Sequence, residues 1–489
     1  MNAQPANLRV LFLAAEADPL IKVGGLGDVA GTLPRFLRKI DPARTGGTSL
    51  DVRLVIPFHP GTRTDLAKIS PAGKFTVASR DGDVETQVYQ TEIDGLPIYL
   101  IAGPYIPKEG PVYSRDIPAD GAKFTYFSLA TLELARYLDW APDILHANDW
   151  HTALAVFRLR ELRKTDLFWQ STKSILSVHN LPFMGAGTQA AQELFGIEPA
   201  EDAGLPDWAR TLPLPMGLAA ADRIMPVSPG YAKEILTPEF GCNLQDYLKT
   251  REKDIIGILN GLDTHAWDPQ TDPALDIPYS ADNLEVRAVN KKALQTEFQL
   301  PPGERIPLLT MIGRMDPQKG VDYALEGLRD AVDQSWQAII LGTGDALLEQ
   351  AAQRLADDYP DRVKAALRFD SRLAHRLYAG ADILVMPSRY EPSGLAQMIA
   401  MRYGCLPLAR STGGLKDSIV SHTKSTIGTG FLFDKATPAA FTKALRRALA
   451  VFCEPKSWET IQRNGMAQDF SWDRSAIAYA TVYLEMKGL

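Results

Sequence analysis

Short β-like apolar runs alternate with amphipathic helical patterns along most of the chain. Leu8–Ala15 reads as a buried strand, and a Gly-rich turn follows it. The next segment sets Val29, Leu33, Phe36, Leu37 and Ile40 on one helical face. Further strands are expected at Val52–Pro57, Ile98–Ala102, Ile144–His146, Ser174–Val178 and Arg223–Val227. Helical patterns at Ala122–Leu138 and Thr152–Leu162 separate the later ones. The segment Phe75–Ile101 breaks this rhythm, because its alternation around Asp81-Gly82 and Asp94-Gly95 predicts antiparallel hairpins. The strand–helix pattern starts afresh at Ile255–Leu259 and continues through Pro307–Ile312, Ala338–Leu341, Ile383–Pro387 and Leu406–Ala409. A last helix is expected at about Trp472–Lys487.

Strand–helix alternation means parallel sheets covered on both faces. Two such series predict an α/β chain with two doubly wound domains and a join near residue 255. The length of 489 residues agrees, at about 150 residues per domain. Sheets of this kind bind ligands at the carboxyl ends of their strands, so the chemistry belongs in loops just after strands.

Charge and composition narrow the function. With 52 basic and 59 acidic side chains the formal charge is −7, which argues against nucleic acid or an anionic membrane as the main partner. Cys242, Cys405 and Cys453 form no C-x-x-C pair, so neither a disulfide framework nor a zinc knuckle is indicated. Val10–Ala15 is too short for a membrane span, and Glu16 and Asp18 spoil a signal peptide. A soluble cytoplasmic protein is expected.

Three post-strand loops carry candidate chemistry. Lys22-Val23-Gly24-Gly25-Leu26-Gly27-Asp28 opens a helix, where backbone N–H groups and the helix dipole favour an anion and Lys22 adds a cation. A Gly-rich turn with a solvated lysine explains the same residues, since the G-x-G-x-x-G spacing is absent. In Gly313-Arg314-Met315-Asp316-Pro317-Gln318-Lys319-Gly320, Arg314 as a planar fork and Lys319 as a point charge suit a pyrophosphate. In Pro387-Ser388-Arg389-Tyr390-Glu391-Pro392-Ser393-Gly394-Leu395, Glu391 either complements the following helix dipole or accepts from sugar hydroxyls. Ser411-Thr412-Gly413-Gly414 supplies one more run of backbone donors.

Two further strand ends, His146-Ala147-Asn148-Asp149-Trp150-His151 and Ser177-Val178-His179-Asn180-Leu181, read either as helix caps and satisfied histidines or as binders of a polyhydroxylated ligand. No H-E-x-x-H or comparable set accompanies His146 and His151, so no metal is expected. Asp81-Gly82-Asp83 lies at a hairpin tip and is read as a turn.

Together these signatures resemble the ADP-glucose-type glycogen and starch synthases, retaining glycosyltransferases of the GT-B fold. Lys22–Leu26 is similar to the family's K-T-G-G-L loop, His146–His151 to H-x-x-D-W-H, and Val178–Gly185 to the H-N-L-x-x-x-G stretch. Asn260-Gly261-Leu262-Asp263 with Trp267 and Pro269 resembles N-G-[IV]-D…W-x-P; Gln318-Lys319-Gly320, the Glu391 loop and Thr412–Leu415 complete the set. The resemblance implies two Rossmann-like domains facing across a deep cleft. Residues 1–254 would be the acceptor side, 255–470 the nucleotide-sugar side, and a helix in 471–489 would cross back to the first domain.

It also assigns roles. Lys22, Arg314 and Lys319 would hold the donor diphosphate, and Asp149, His179, Asn260 and Glu391 would surround the glucose. Tyr113 would line the same site, and Phe369 would stack on adenine. Gly24, Gly25, Asp28, Asn180, Gln318, Ser393, Gly394, Leu395, Thr412 and Gly413 complete the substrate contacts. The implied substrates are ADP-glucose and an α-1,4-glucan, with no cofactor, and the oligomeric state stays open. Val23 stands where the family has Thr, and Ser393 and Ala396 where it has Cys and Thr, departures that touch donor preference or rate rather than reaction type. A dehydrogenase lacks its glycine fingerprint here, a glucan phosphorylase needs a longer chain, and a non-catalytic glucan binder has no reason to keep Lys22, Arg314, Lys319 and Glu391 together.

Overall fold

Leu11 and Leu13 of strand β1 (Asn7–Leu13) enter one hydrophobic core while Val10 and Phe12 enter another, and all four are fully buried. A strand covered on both faces reads as a continuous apolar run, as Leu8–Ala15 does. The structure is a computed structural model describing residues 7–489, and its chain divides into two units. The first runs up to Gly261 and includes Trp472–Leu489; the second is Leu262–Ser471.

The first unit adds β2 (Ser49–Pro57), β3 (Ser70–Val77), β4 (Val84–Ile93), β5 (Leu96–Ala102), β6 (Ile144–Asn148), β7 (Lys173–Val178) and β8 (Arg223–Pro226). They form one eight-stranded sheet in the order β3-β4-β5-β2-β1-β6-β7-β8. Only β3–β4 and β4–β5 pair antiparallel, and the second hairpin turns on Asp94 and Gly95, at φ of 51° and 79°. Helices α2 (Ile117–Tyr137) and α3 (Trp150–Thr165) supply one core, for example Tyr126, Phe127, Leu154 and Phe157. Helix α1 (Gly25–Arg38) and the C-terminal helix (Trp472–Lys487) supply the other, with Leu33 and Leu37 beside Trp472, Tyr479 and Tyr483.

The second unit holds β9 (Leu308–Ile312), β10 (Gln337–Leu341), β11 (Val363–Ala366), β12 (Ile383–Met386), β13 (Leu406–Arg410) and β14 (Phe431–Phe433). All pair in parallel, in the order β11-β10-β9-β12-β13-β14. The neighbours β9, β12 and β13 therefore set the loops after residues 312, 386 and 410 side by side.

One boundary differs from the sequence reading. Ile255–Leu259 does not begin the second domain, because its backbone bonds to the first sheet: Ile256 N–H donates to Ile224 O at 2.9 Å and Ile258 N–H to Pro226 O at 3.1 Å. Ser475 of the C-terminal helix donates to Leu259 O at 2.7 Å, and a Cβ on Gly261 would stand 2.6 Å from Trp472 Cα. The join thus lies at Gly261–Leu262, and Asn260 belongs to the first unit. Among the described residues no helix is long and apolar enough to cross a membrane.

Candidate active site

In the first unit, Glu16 follows β1 by three residues and is 1% exposed. Its carboxylate accepts the Val23 N–H, the Gly24 N–H at 3.2 Å and the Tyr113 hydroxyl at 3.1 Å. Burial outweighs these bonds and raises its pKa above the ordinary carboxylate range. Two backbone donors of the Gly-rich loop therefore hold the protein's own anion, including the Val23 N–H. Lys22 Nζ lies 2.5 Å from Asp28 Oδ1. Burial raises the Asp28 pKa against the pull of this lysine. Gly25 starts α1, and a Cβ there would meet nothing within 4 Å.

At the end of β6, Asp149 takes φ 55° and does not cap α3 with its side chain. Its Oδ1 instead accepts N–H bonds from His179 at 2.7 Å and Asn180 at 3.3 Å, tying the β6 and β7 loops together. Burial pushes its pKa up to about 7, with these two donors opposing. Asn148 does not cap by its amide either, since Nδ2 donates to Leu13 O at 2.8 Å. Asn148 Oδ1 must then accept from His179 Nε2, 2.9 Å away, which fixes that tautomer and leaves Nδ1 as an acceptor. Burial lowers the His179 pKa to about 4, so the ring is neutral at pH 7. His146 is structural: Nδ1 meets the Tyr483 hydroxyl at 2.6 Å and Nε2 the Ser177 hydroxyl at 2.7 Å. Three buried polar atoms of the first unit, His151 Nδ1, Asn180 Oδ1 and Asn260 Oδ1, have no hydrogen-bond partner, which favours a polar ligand.

In the second unit, Arg314 pairs with Asp316 at 3.0 Å, and Asp316 caps the short turn Pro317–Lys319 through the Lys319 N–H at 3.2 Å. Lys319 Nζ grips both oxygens of Glu391 at 3.0 and 2.7 Å, and the Ser388 hydroxyl donates to the same carboxylate at 2.8 Å. Gln318 Nε2 donates to Tyr390 O at 3.2 Å. The turn lies so close that a Cβ on Gly320, at φ 66°, would stand 2.1 Å from Pro387 O. Glu391 is 6% exposed and does more than complement a helix dipole. Its own carbonyl receives the Gly414 N–H at 3.0 Å, which joins the Thr412-Gly413 loop to the cluster. Gly394 takes φ 72°, and Leu395 follows it, half-buried, ahead of the helix Ala396–Arg402. The Ser393 hydroxyl is buried without a partner. Phe369 stands apart on the loop after edge strand β11, 89% exposed.

Each cation that the family resemblance assigns to a diphosphate is thus paired with a carboxylate: Lys22 with Asp28, Arg314 with Asp316, Lys319 with Glu391. Sequence reasoning missed Glu16 and Ser388 as site residues. For Glu16 the one available signal was its place just past a strand's carboxyl end. Among the described residues no group of three or more His, Cys, Asp or Glu is placed to hold a metal ion.

Residues 9–250 match the family model described as starch synthase catalytic domain, and residues 294–463 match glycosyl transferases group 1. A glycogen synthase of Aromatoleum aromaticum is 41% identical, covering 100% of this chain and 99% of that protein. Glycogen synthase 2 of Nitrosococcus oceani is 38% identical over 98% of this chain and 97% of its own length. The solved catalytic domain of starch synthase IV from Arabidopsis thaliana, bound to ADP and acarbose, matches with a TM-score of 0.87 at 30% identity, covering 99% of this chain and 100% of that one. Full-length likeness at this identity, carried on the same two family segments, places the chain in the glycogen and starch synthase family of GT-B glycosyltransferases.

Proposed function

We propose that this chain transfers glucose, with retention, from ADP-glucose to the non-reducing end of an α-1,4-glucan. The observation that carries this reading is the full-length likeness to a starch synthase whose structure holds ADP together with acarbose. The paired cations of the second unit agree with it. As the bond from the glucose C1 to the leaving phosphate breaks, negative charge builds on the diphosphate. Arg314 and Lys319 supply preorganised positive charge for it. Family resemblance assigns Glu391, Asp149 and neutral His179 to the sugar, whose hydroxyls would donate to the carboxylates and to His179 Nδ1. By family resemblance the leaving phosphate itself takes the proton of the incoming hydroxyl, on the face from which it departs.

Two expectations test this reading. Turnover should survive exhaustive chelation, because side-chain cations do the neutralising that a divalent ion does in other transferases. Activity lost to chelator and restored by Mg²⁺ or Mn²⁺ would remove that part of the proposal. ADP-glucose should exceed UDP-glucose in kcat/KM, since a purine presents a larger face than uracil to an aromatic ring. Phe369 offers an open ring for this, and Phe369→Ala should narrow the gap. Equal values for the two donors in the unaltered enzyme would count against the choice of nucleotide.

A further inference from the structure

Glu16 ties the Lys22 loop, seven residues on, to Tyr113, 97 residues away. Its two oxygens receive the Val23 and Gly24 amides of the Lys22 loop and the hydroxyl of Tyr113. Gly27 makes room for it: a Cβ there would stand 3.1 Å from both Glu16 Oε2 and Lys22 Cγ. Tyr113 is anchored in turn on both flanks. Lys123 of α2, 1% exposed, donates to Val112 O at 2.6 Å and pairs with Asp120 at 2.7 Å, while Asp120 accepts the Ser114 N–H at 2.8 Å. A buried ion pair on a helix thus fixes the tyrosine, the tyrosine meets Glu16, and Glu16 holds the loop that carries Lys22.

We propose that Glu16 is a positioning residue, whose carboxylate sets the backbone of the Lys22 loop and the Tyr113 hydroxyl in one arrangement and so sets where the Lys22 ammonium stands. This deepens the functional reading above and rests on it for its kinetic test. Burial raises the Glu16 pKa, so keeping its carboxylate in place depends on these donors rather than on water.

Two variants separate positioning from mere folding. Glu16→Gln keeps the reach: its carbonyl oxygen can take the two amides while its NH₂ donates to the tyrosine oxygen. Glu16→Asp is one methylene shorter and cannot hold both the loop and Tyr113. Misplacing a catalytic group by about 1 Å costs on the order of 10²-fold in rate, so Glu16→Asp is expected to lose about that much in kcat/KM for ADP-glucose. Glu16→Gln should retain most of it, and KM for the glucan should be unchanged in both. If Glu16 acts through Lys22, the Glu16→Asp loss should shrink to less than about threefold in a Lys22→Ala background. Amide exchange gives a test independent of activity: Val23 and Gly24 should exchange about tenfold faster in Glu16→Asp than in the unaltered protein, and Glu16→Gln should stay close to the latter. Unchanged exchange and full kinetics in folded Glu16→Asp would overturn the proposal, as would a loss equally large with and without Lys22. If the unaltered enzyme fails to use ADP-glucose at all, the functional reading fails, and the exchange rates alone decide the role of Glu16.

Discussion

Arg314→Ala and Lys319→Ala are each expected to lower kcat by about 10²–10³-fold, the scale for removing one preorganised donor from a developing negative charge. Charge on a leaving diphosphate grows as its bond to the sugar breaks, so a cation placed there would contribute more in the transition state than in the ground state. The loss should therefore fall on kcat and not only on KM. The two variants should differ in stability. Arg314 has a side chain 70% exposed, and removing it should change stability by no more than ~0.5 kcal/mol. Lys319 is the ionic partner of Glu391, whose side chain is 8% exposed. Truncating it leaves a buried carboxylate with the Ser388 hydroxyl, at a cost of about 1–3 kcal/mol. Steady-state kinetics on folded variants, with exposed Lys68→Ala as control, separate the two effects. Unaltered kcat in either variant contradicts its role at the diphosphate.

Stability should fall as pH drops from 6.5 toward 4.5. Burial depresses the pKa of His59 and His179 to about 4 and of His146 and His151 to about 3. These rings stay neutral in the fold, while in the unfolded chain they take up protons near pH 6.5. Their contribution is full above about 6.5 and is lost as pH falls toward the folded values. Asp149 acts in the opposite sense: with its pKa raised to about 7, the fold binds a proton that the unfolded carboxyl releases down to about 3.8. Glu16 and Asp28, whose pKa values burial also raises, oppose the histidines in the same sense as Asp149. The four rings still leave the unfolded state the richer in protons, so stability falls with pH. Urea unfolding at a series of pH values measures this slope, and a flat stability between pH 6.5 and 5 contradicts it.

The residues that were legible in the sequence are those whose environment is local. Leu8–Ala15, Ser174–Val178 and Trp472–Lys487 announce themselves because one strand or helix carries the whole apolar pattern. Strand β11 was missed because Val-Lys-Ala-Ala offers one large apolar side chain on a sheet edge, and β14 because three residues make no pattern. Ile255–Leu259 has the composition of a strand, but its partner is β8, and only pairing could reveal that. The site loops were visible by their charge and glycine. Their internal wiring was not, because Glu16 meets Tyr113 across 97 residues and Lys319 meets Glu391 across 72. The carboxylate partners of the three cations are features of the fold.

Chain extension measures the proposed reaction most directly. The enzyme is incubated with ADP-glucose labelled in the sugar and a maltooligosaccharide of defined length, and both products are analysed. The account predicts an acceptor longer by one α-1,4-linked glucose at its non-reducing end, with one ADP released per glucose transferred. Folded enzyme that leaves the acceptor at its original length, or releases the label as free glucose or in a β linkage, would contradict it.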